Sequence, residues 1–148
     1  MNLFGVMDVS GSALKAERLR AEVVASNMAN ANTTQTPGGG PYKRREVVFE
    51  SAAADQGVFA GHLLGQSSVD GNIGGVKIAA VVTDNSPGLR RYDPGNPDAD
   101  KNGYVTYPDI NPLTEMVDLM SATRAYDLNS SAVEATKSMI DTSIDILK

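Results

Sequence analysis

The chain has no cysteine and no tryptophan, and only three phenylalanines in 148 residues. The missing thiols exclude disulfides, thiolate metal sites and cysteine nucleophiles. Aromatics total 5%, and bulky aromatics supply much of the burial in a thick core, so a single large core is not expected. Histidine occurs once, as His62 in a Gly-flanked stretch, without the partners that zinc or nucleophilic chemistry requires. Positive charge is short too: 13 Lys and Arg stand against 18 Asp and Glu, a net charge of −5. Nucleic acid needs several cations aimed at phosphates. The densest cluster, Lys43-Arg44-Arg45, is followed at once by Glu46 and reads as a solvated strand edge or a partner contact. The longest apolar run, 78–82, is far too short to span a bilayer. The first basic residue is Lys15, and Asp8 interrupts the apolar start, so no cleavable secretory signal is visible. HExxH, Gly-x-Ser-x-Gly and phosphate-loop patterns are missing. Gly38-Gly39-Gly40 lacks a following Lys-Ser/Thr and reads as a linker. With carboxylates scattered and no pocket to define them, enzymatic activity and a cofactor are not expected.

What is present falls into three parts: an N-terminal helix within 1–33, a β-rich insert over 34–111 and a C-terminal helix over 112–148. Residues 13–30 hold no Gly or Pro and are rich in helix formers. Met7, Leu14, Ala21 and Met28 recur every seven residues, widened by Val24 and Ala25, beside a charged face of Lys15, Glu17, Arg18, Arg20 and Glu22. The Pro37–Pro41 stretch cannot continue that helix. Asn111 is a good N-cap, Pro112 suits the first helical position, and Glu115 in the first turn complements the dipole. From there Leu119, Tyr126, Val133, Ile140 and Leu147 recur every seven residues, with Ala122, Asn129, Thr136 and Ser143 three positions on. This is a coiled-coil-like pattern of one apolar and one small-polar column. About 35 residues at ~1.5 Å each give a helix of roughly 50 Å. Arg124 lies close to the apolar column and is a candidate partner for Glu17 or Glu22, in this chain or a neighbour.

Between the helices, 42–49 and 76–83 read as strands and 58–69 as a further candidate. Asp70-Gly71, Pro87-Gly88 and Asn102-Gly103 supply turns. The expected fold is α+β, mainly α: N- and C-terminal helices forming a coiled-coil-like arm pair around a small, hairpin-rich insert. Such an insert cannot cover both stripes, so the helices must pack on each other or on neighbouring copies. The bland alternative is an α+β monomer whose insert covers both.

One stretch carries possible metal chemistry. Asp98, Asp100 and Asn102 take positions one, three and five of a calcium-loop pattern, with Gly103 at the turn and Asp109 at position twelve. Asp109 is shorter than the usual Glu, and Pro94, Pro97, Pro108 and Pro112 surround the loop where an EF-hand needs flanking helices. An Asp/Asn-Gly turn with carboxylates capping amides accounts for the same residues. The alternative function on this ground is a calcium- or peptide-binding β module with helical arms.

Two stretches resemble a known family. Ala25-Ser26-Asn27-Met28-Ala29-Asn30-Ala31-Asn32-Thr33 is similar to the Ser-Asn-Leu-Ala-Asn-x-Asn-Thr motif near the start of flagellar rod and hook proteins, with Met28 in place of Leu. Thr36–Arg45, Tyr92–Asp100, Gly103–Pro108 and Glu115–Tyr126 resemble more specifically the FlgC-type, proximal-rod members of the bacterial flagellar basal-body rod proteins. Asn96 stands where that family usually has His. The resemblance runs from about Asp8 to Lys148. It implies a structural subunit of the rod that joins the motor base to the hook, spanning the periplasm and exported by the flagellar type III apparatus without a cleaved signal. The implied partners are other rod subunits, copies of itself and the rod-base adaptor protein. Phe4 and nearby apolar residues resemble the export-gate signal of the class. The expected assembly residues are Met7, Leu14, Ala21, Ser26, Asn27, Met28, Asn30, Asn32, Leu119, Arg124, Tyr126, Val133, Ile140 and Leu147. An isolated subunit is expected to have mobile terminal helices.

Overall fold

The computed structural model describes residues 3–52 and 74–146. The candidate strand at 58–69, His62 and Leu147 lie outside the described residues. In chain order the elements are α1 (Leu3–Ala29), β1 (Arg45–Ser51), β2 (Val76–Thr83), β3 (Leu89–Tyr92), β4 (Tyr104–Tyr107) and α2 (Pro112–Ile146). The fold is two long helices with a small β insert of two antiparallel ribbons, β1–β2 and β3–β4.

Helix α2 starts where the Asn-Pro pair places it. Asn111 Oδ1 accepts from the Leu113 amide at 3.0 Å, and the Asn111 carbonyl accepts the first helical bond, from Glu115 N at 3.1 Å. Helix α1 ends in a polar knot. Asn30 Nδ2 donates to Ser26 O at 2.9 Å, and Thr33 Oγ1 donates to Asn30 Oδ1 at 3.1 Å. The following glycines form a closed turn, not a linker. Thr36 N donates to Gly40 O and Gly39 N to Thr36 O, each at 2.9 Å. Gly39 and Gly40 adopt φ of 84° and 75°, which side chains disfavour. The chain then returns, with Tyr42 N donating to Thr33 O at 3.0 Å.

Strand β1 begins at Arg45 rather than at residue 42, because Tyr42 is held by this loop and by α1. Its ladder with β2 runs from Arg45↔Thr83 to Ser51↔Val76, with a bulge at Val48/Phe49. The ribbon is tied to α1 at both ends. Asn27 binds Arg45, and Ser12 Oγ accepts from Val76 N at 2.9 Å. The lengths agree: about 15 helical residues at ~1.5 Å match about 7 strand residues at ~3.3 Å. The second ribbon pairs Leu89↔Tyr107 through Tyr92↔Tyr104. Only its turn residues, not its strands, are marked in the sequence.

Helices α1 and α2 run antiparallel. Asn27 meets Glu115, Arg20 meets Asp118, and Glu17 and Ala21 share a groove with Ala122 and Tyr126. The buried seam of α2 is not the large apolar column. Glu115, Ala122 and Thr136 are the buried residues of that helix, with Asn129 half-buried between them. Leu119, Val133 and Ile140 lie half-buried on the flank, and Tyr126 is exposed. Beyond Glu115, small side chains win the seam because they let two backbones approach closely. On α1 the buried residues are Ser10, Ala16, Val24 and Asn27, while Met7, Leu14, Ala21 and Met28 are half-buried. The buried apolar residues described are Ala16, Val24, Ala31, Val105, Ile110 and Ala122. No described helix is long and apolar enough to cross a membrane.

Ala122 has 0% exposure in this seam. Ala122→Leu forces extra methylenes between the two helices and should destabilise the chain by about 1–3 kcal/mol. Urea unfolding measures it, and an unchanged midpoint would show that the seam has room.

Candidate functional site: a polar hub and the outward helix faces

The hub forms where α1 ends, β1 begins and α2 begins. Asn27, with 0% exposure, uses its whole hydrogen-bonding capacity there. Its Nδ2 donates to Arg45 O at 2.8 Å and to Glu115 Oε2 at 3.0 Å. Its Oδ1 accepts from Arg45 N at 3.0 Å and from Tyr42 Oη at 3.2 Å. Ser26 Oγ lies 3.3 Å from the same Tyr42 hydroxyl.

Glu115 is 1% exposed, and a buried carboxylate needs compensation. Arg44 Nε donates to its Oε1 at 2.6 Å. The same guanidinium pairs with Glu46 and lies 3.9 Å from Asp118. Asp118 in turn lies 3.6 Å from Arg20, and Arg20 lies 3.8 Å from Glu17. A chain of alternating charges therefore follows the seam from the hub along α1.

Three expectations are corrected here. Arg44 is not a solvated edge residue, because a buried carboxylate draws it inward; Lys43, which bonds Asn85 at 2.8 Å, and Arg45 remain exposed. Glu115 does more than complement a helix dipole. Asn27 is wholly enclosed by its own chain, so it offers no surface to a neighbouring subunit, and Ser26 and Asn30 also bond within the chain, Ser26 to the Tyr42 hydroxyl and Asn30 to Ser26 O. Asn32 is exposed. Arg124 is exposed and makes no ion pair among the described residues; Glu22 instead pairs with Arg18 at 3.0 Å.

The calcium-loop look-alike is a turn. Asp100 Oδ1 accepts from the amides of Asn102 at 2.8 Å and Tyr104 at 3.0 Å, and its Oδ2 accepts from Arg90 at 2.9 Å. Asp98 Oδ2 accepts from Thr34 Oγ1 at 2.6 Å. These oxygens point at amides, a guanidinium and a hydroxyl, and do not converge on one centre. Gly103, at φ 79°, closes the loop against Tyr92, whose ring meets Tyr104 edge-on at 5.4 Å. The Tyr104 amide, then that of Asn102, holds the Asp100 carboxyl below its ordinary 3.8, with Arg90 adding to the effect.

Outward, α2 carries a face that the sevenfold columns do not include. Leu113, Met116, Val117, Met120 and Leu128 are all exposed, Leu113 at 72% and Leu128 at 71%. Their three- and four-residue spacing was readable in the sequence, but it competes there with the longer Leu119–Leu147 column. An unpartnered apolar face of this kind marks a binding surface.

A helix pair that buries polar residues and exposes apolar ones is the subunit of an assembly, and the comparisons give its class. Residues 7–35 match the family described as flagella basal body rod protein, and residues 101–146 match the C-terminal region described for flagellar basal body rod FlgEFG proteins. Along its whole length the chain is 42% identical to the flagellar basal-body rod protein FlgC of Bacillus subtilis, covering 100% of both. It is 39% identical to that of Borreliella burgdorferi, covering 100% of this chain and 99% of the relative. It is 41% identical to that of Salmonella typhimurium, covering 95% and 94%. The chain belongs to the FlgC family of flagellar basal-body rod proteins.

Asn27→Ala leaves both peptide groups of Arg45 and one side of Glu115 unpaired. At about 1–3 kcal/mol for each orphaned group, it should cost about 3 kcal/mol or more. Arg44→Ala strands the Glu115 charge and should cost about 3–5 kcal/mol. Denaturant unfolding of both variants tests this, and near-wild-type midpoints would remove the hub from its central place.

The lowered Asp100 value fixes a sign. Its stabilising contribution is present above 3.8 and is lost as pH falls through the lower folded-state value. An NMR titration should find the carboxyl midpoint below 3.8 in wild type and at the ordinary value once Arg90 and the turn are unfolded in urea.

Proposed function

We propose that this chain is a structural subunit of the proximal rod of the bacterial flagellar basal body, polymerising through the outward faces of its terminal helices. The observation that carries the reading is the exposed apolar face of α2 in a chain whose buried apolar residues are few and small. Packed into a cylinder, such subunits enclose a channel and transmit torque along the helix axes. The three-part organisation supports this division: 1–33 and 112–148 form the axial pair, and 34–111 braces it. Met7, Leu14, Met28, Leu119, Tyr126, Val133 and Ile140, each half-buried or exposed, have surface left for neighbours. The neighbours are copies of this chain, related rod subunits and the rod-base adaptor protein. The route out of the cytoplasm is the flagellar type III apparatus, in which the exposed Phe4 region serves as the export signal.

Deleting the gene should abolish motility, and the tagged protein should co-purify with basal bodies. Recovery only as a soluble cytoplasmic monomer would overturn the reading. The antiparallel packing adds a detail, since the start of α1 and the end of α2 lie together, far from the hub. Limited trypsin digestion of the purified monomer should cut first near Lys15 and Lys137 and spare Arg44. Protection at both ends in a monodisperse monomer would argue against helices that complete their packing only on assembly.

A further inference from the structure

The groove between α1 and α2 contains an incomplete charge arrangement. It is lined by Glu17, Ala21, Ala122, Thr123, Tyr126 and Asp127, with Arg18 at its rim. Glu17 Oε2 is buried and has no hydrogen-bond partner among the described residues. Arg20 approaches it only to 3.8 Å and also serves Asp118. Arg18 is turned to Glu22 at 3.0 Å. Asp127 is exposed and makes no ion pair among the described residues. The groove thus offers two carboxylates, a Tyr ring and small apolar side chains to a cation that this chain does not supply from within.

The complement lies on the face of α2 turned away from the seam. Nine residues separate Arg124 from Glu115, about two and a half turns, so Arg124 points away from α1. It sits among Leu113, Val117, Met120 and Leu128, all exposed, and has no acidic partner among the described residues. We propose that a second copy of this chain lays this face along the groove, its Arg124 guanidinium entering between Glu17 and Asp127. A guanidinium donates to two carboxylates at once, here the part-exposed edge of Glu17 and the exposed Asp127. The flanking apolar side chains would cover Ala21 and Tyr126. Groove and face adjoin at Asp127, three residues from Arg124, but are not one self-complementary patch, so the contact is heterologous and propagates from copy to copy instead of closing a two-fold dimer. The proposal rests on the rod reading above and gives it a specific contact.

The test uses the full chain in flagellated cells. The protein has no cysteine, so introduced thiols report alone. Alleles carrying E17C and R124C are co-expressed, basal bodies are isolated, and a short bismaleimide crosslinker is added. A crosslinked dimer of this chain is expected from the mixture and not from either allele alone. Both variants incorporated without a dimer, or R124C captured by a different rod protein, would overturn the second-copy contact while leaving the rod reading standing. Wild-type chain missing from basal bodies would overturn both. Charge reversal keeps the idea testable if the thiol variants fold poorly. R124E should reduce incorporation about tenfold, the scale of one desolvated charge pair, and E17R with D127R should restore it. Wild-type incorporation of R124E would overturn the proposal.

Discussion

The fold depends on one side chain whose amide acts as a piece of strand backbone. Asn27 presents a carbonyl and an N–H to the N–H and carbonyl of Arg45, much as a residue opposite in an antiparallel ladder would. The last turn of α1 thereby becomes the anchor of the β1–β2 ribbon. The second N–H of the same amide reaches Glu115 on α2, and the oxygen also holds Tyr42. Only an amide has donors and an acceptor together at this reach. Aspartate would lose both donors and set a second negative charge beside Glu115. Glutamine would overshoot by a methylene in a site with no exposure.

A buried carboxylate at such a junction is costly, and it is kept in place by being fully engaged. Asn27 takes one oxygen and Arg44 the other. The consequence is specificity of register. An antiparallel helix pair with small residues in its seam could slide by a turn at little apolar cost. Sliding this pair would separate Glu115 from Asn27 and leave a charge without partners in a dry site. The ion chain through Asp118, Arg20 and Glu17 repeats the constraint along the seam, more weakly because those groups are part-exposed.

How far the sequence could be read follows from whether a feature is local. Asn111-Pro112 marks the start of α2, and the run 76–83 coincides with β2, since capping and strand propensity act over a few residues. Strand β1 starts later than its residues suggest, because Tyr42 and Arg44 answer to contacts 15 and 71 positions away. The hub itself is spread over Asn27, Arg45 and Glu115, the last 88 positions from the first. No periodicity connects them; only the resemblance marked the Asn27 motif, and it suggested an interface where the structure has an interior. The sevenfold apolar column of α2 and the small-polar column three positions on were both legible, and it is the second that lies in the seam. Large residues hold helices apart, so Ala122 and Thr136 lie in the seam, and the one large residue of that column, Glu115, enters only at the hub end, where Asn27 and Arg44 engage it.

That exchange of columns bears on how the subunit is used. With polar groups inside, the apolar area of α2 stays outside. Burying the five side chains Leu113, Met116, Val117, Met120 and Leu128 at ~1.5–3 kcal/mol each would release on the order of 10 kcal/mol. Association costs about 4–15 kcal/mol in lost translational and rotational freedom before any side chain is ordered. One such contact is therefore close to break-even, and two free subunits gain little by meeting. A subunit arriving at the end of a growing cylinder meets more than one neighbour but incurs that loss once, so the second contact is nearly pure gain. A chain with a polar interior and moderately apolar outer faces is thus suited to stay apart in dilution and to add at a growing end.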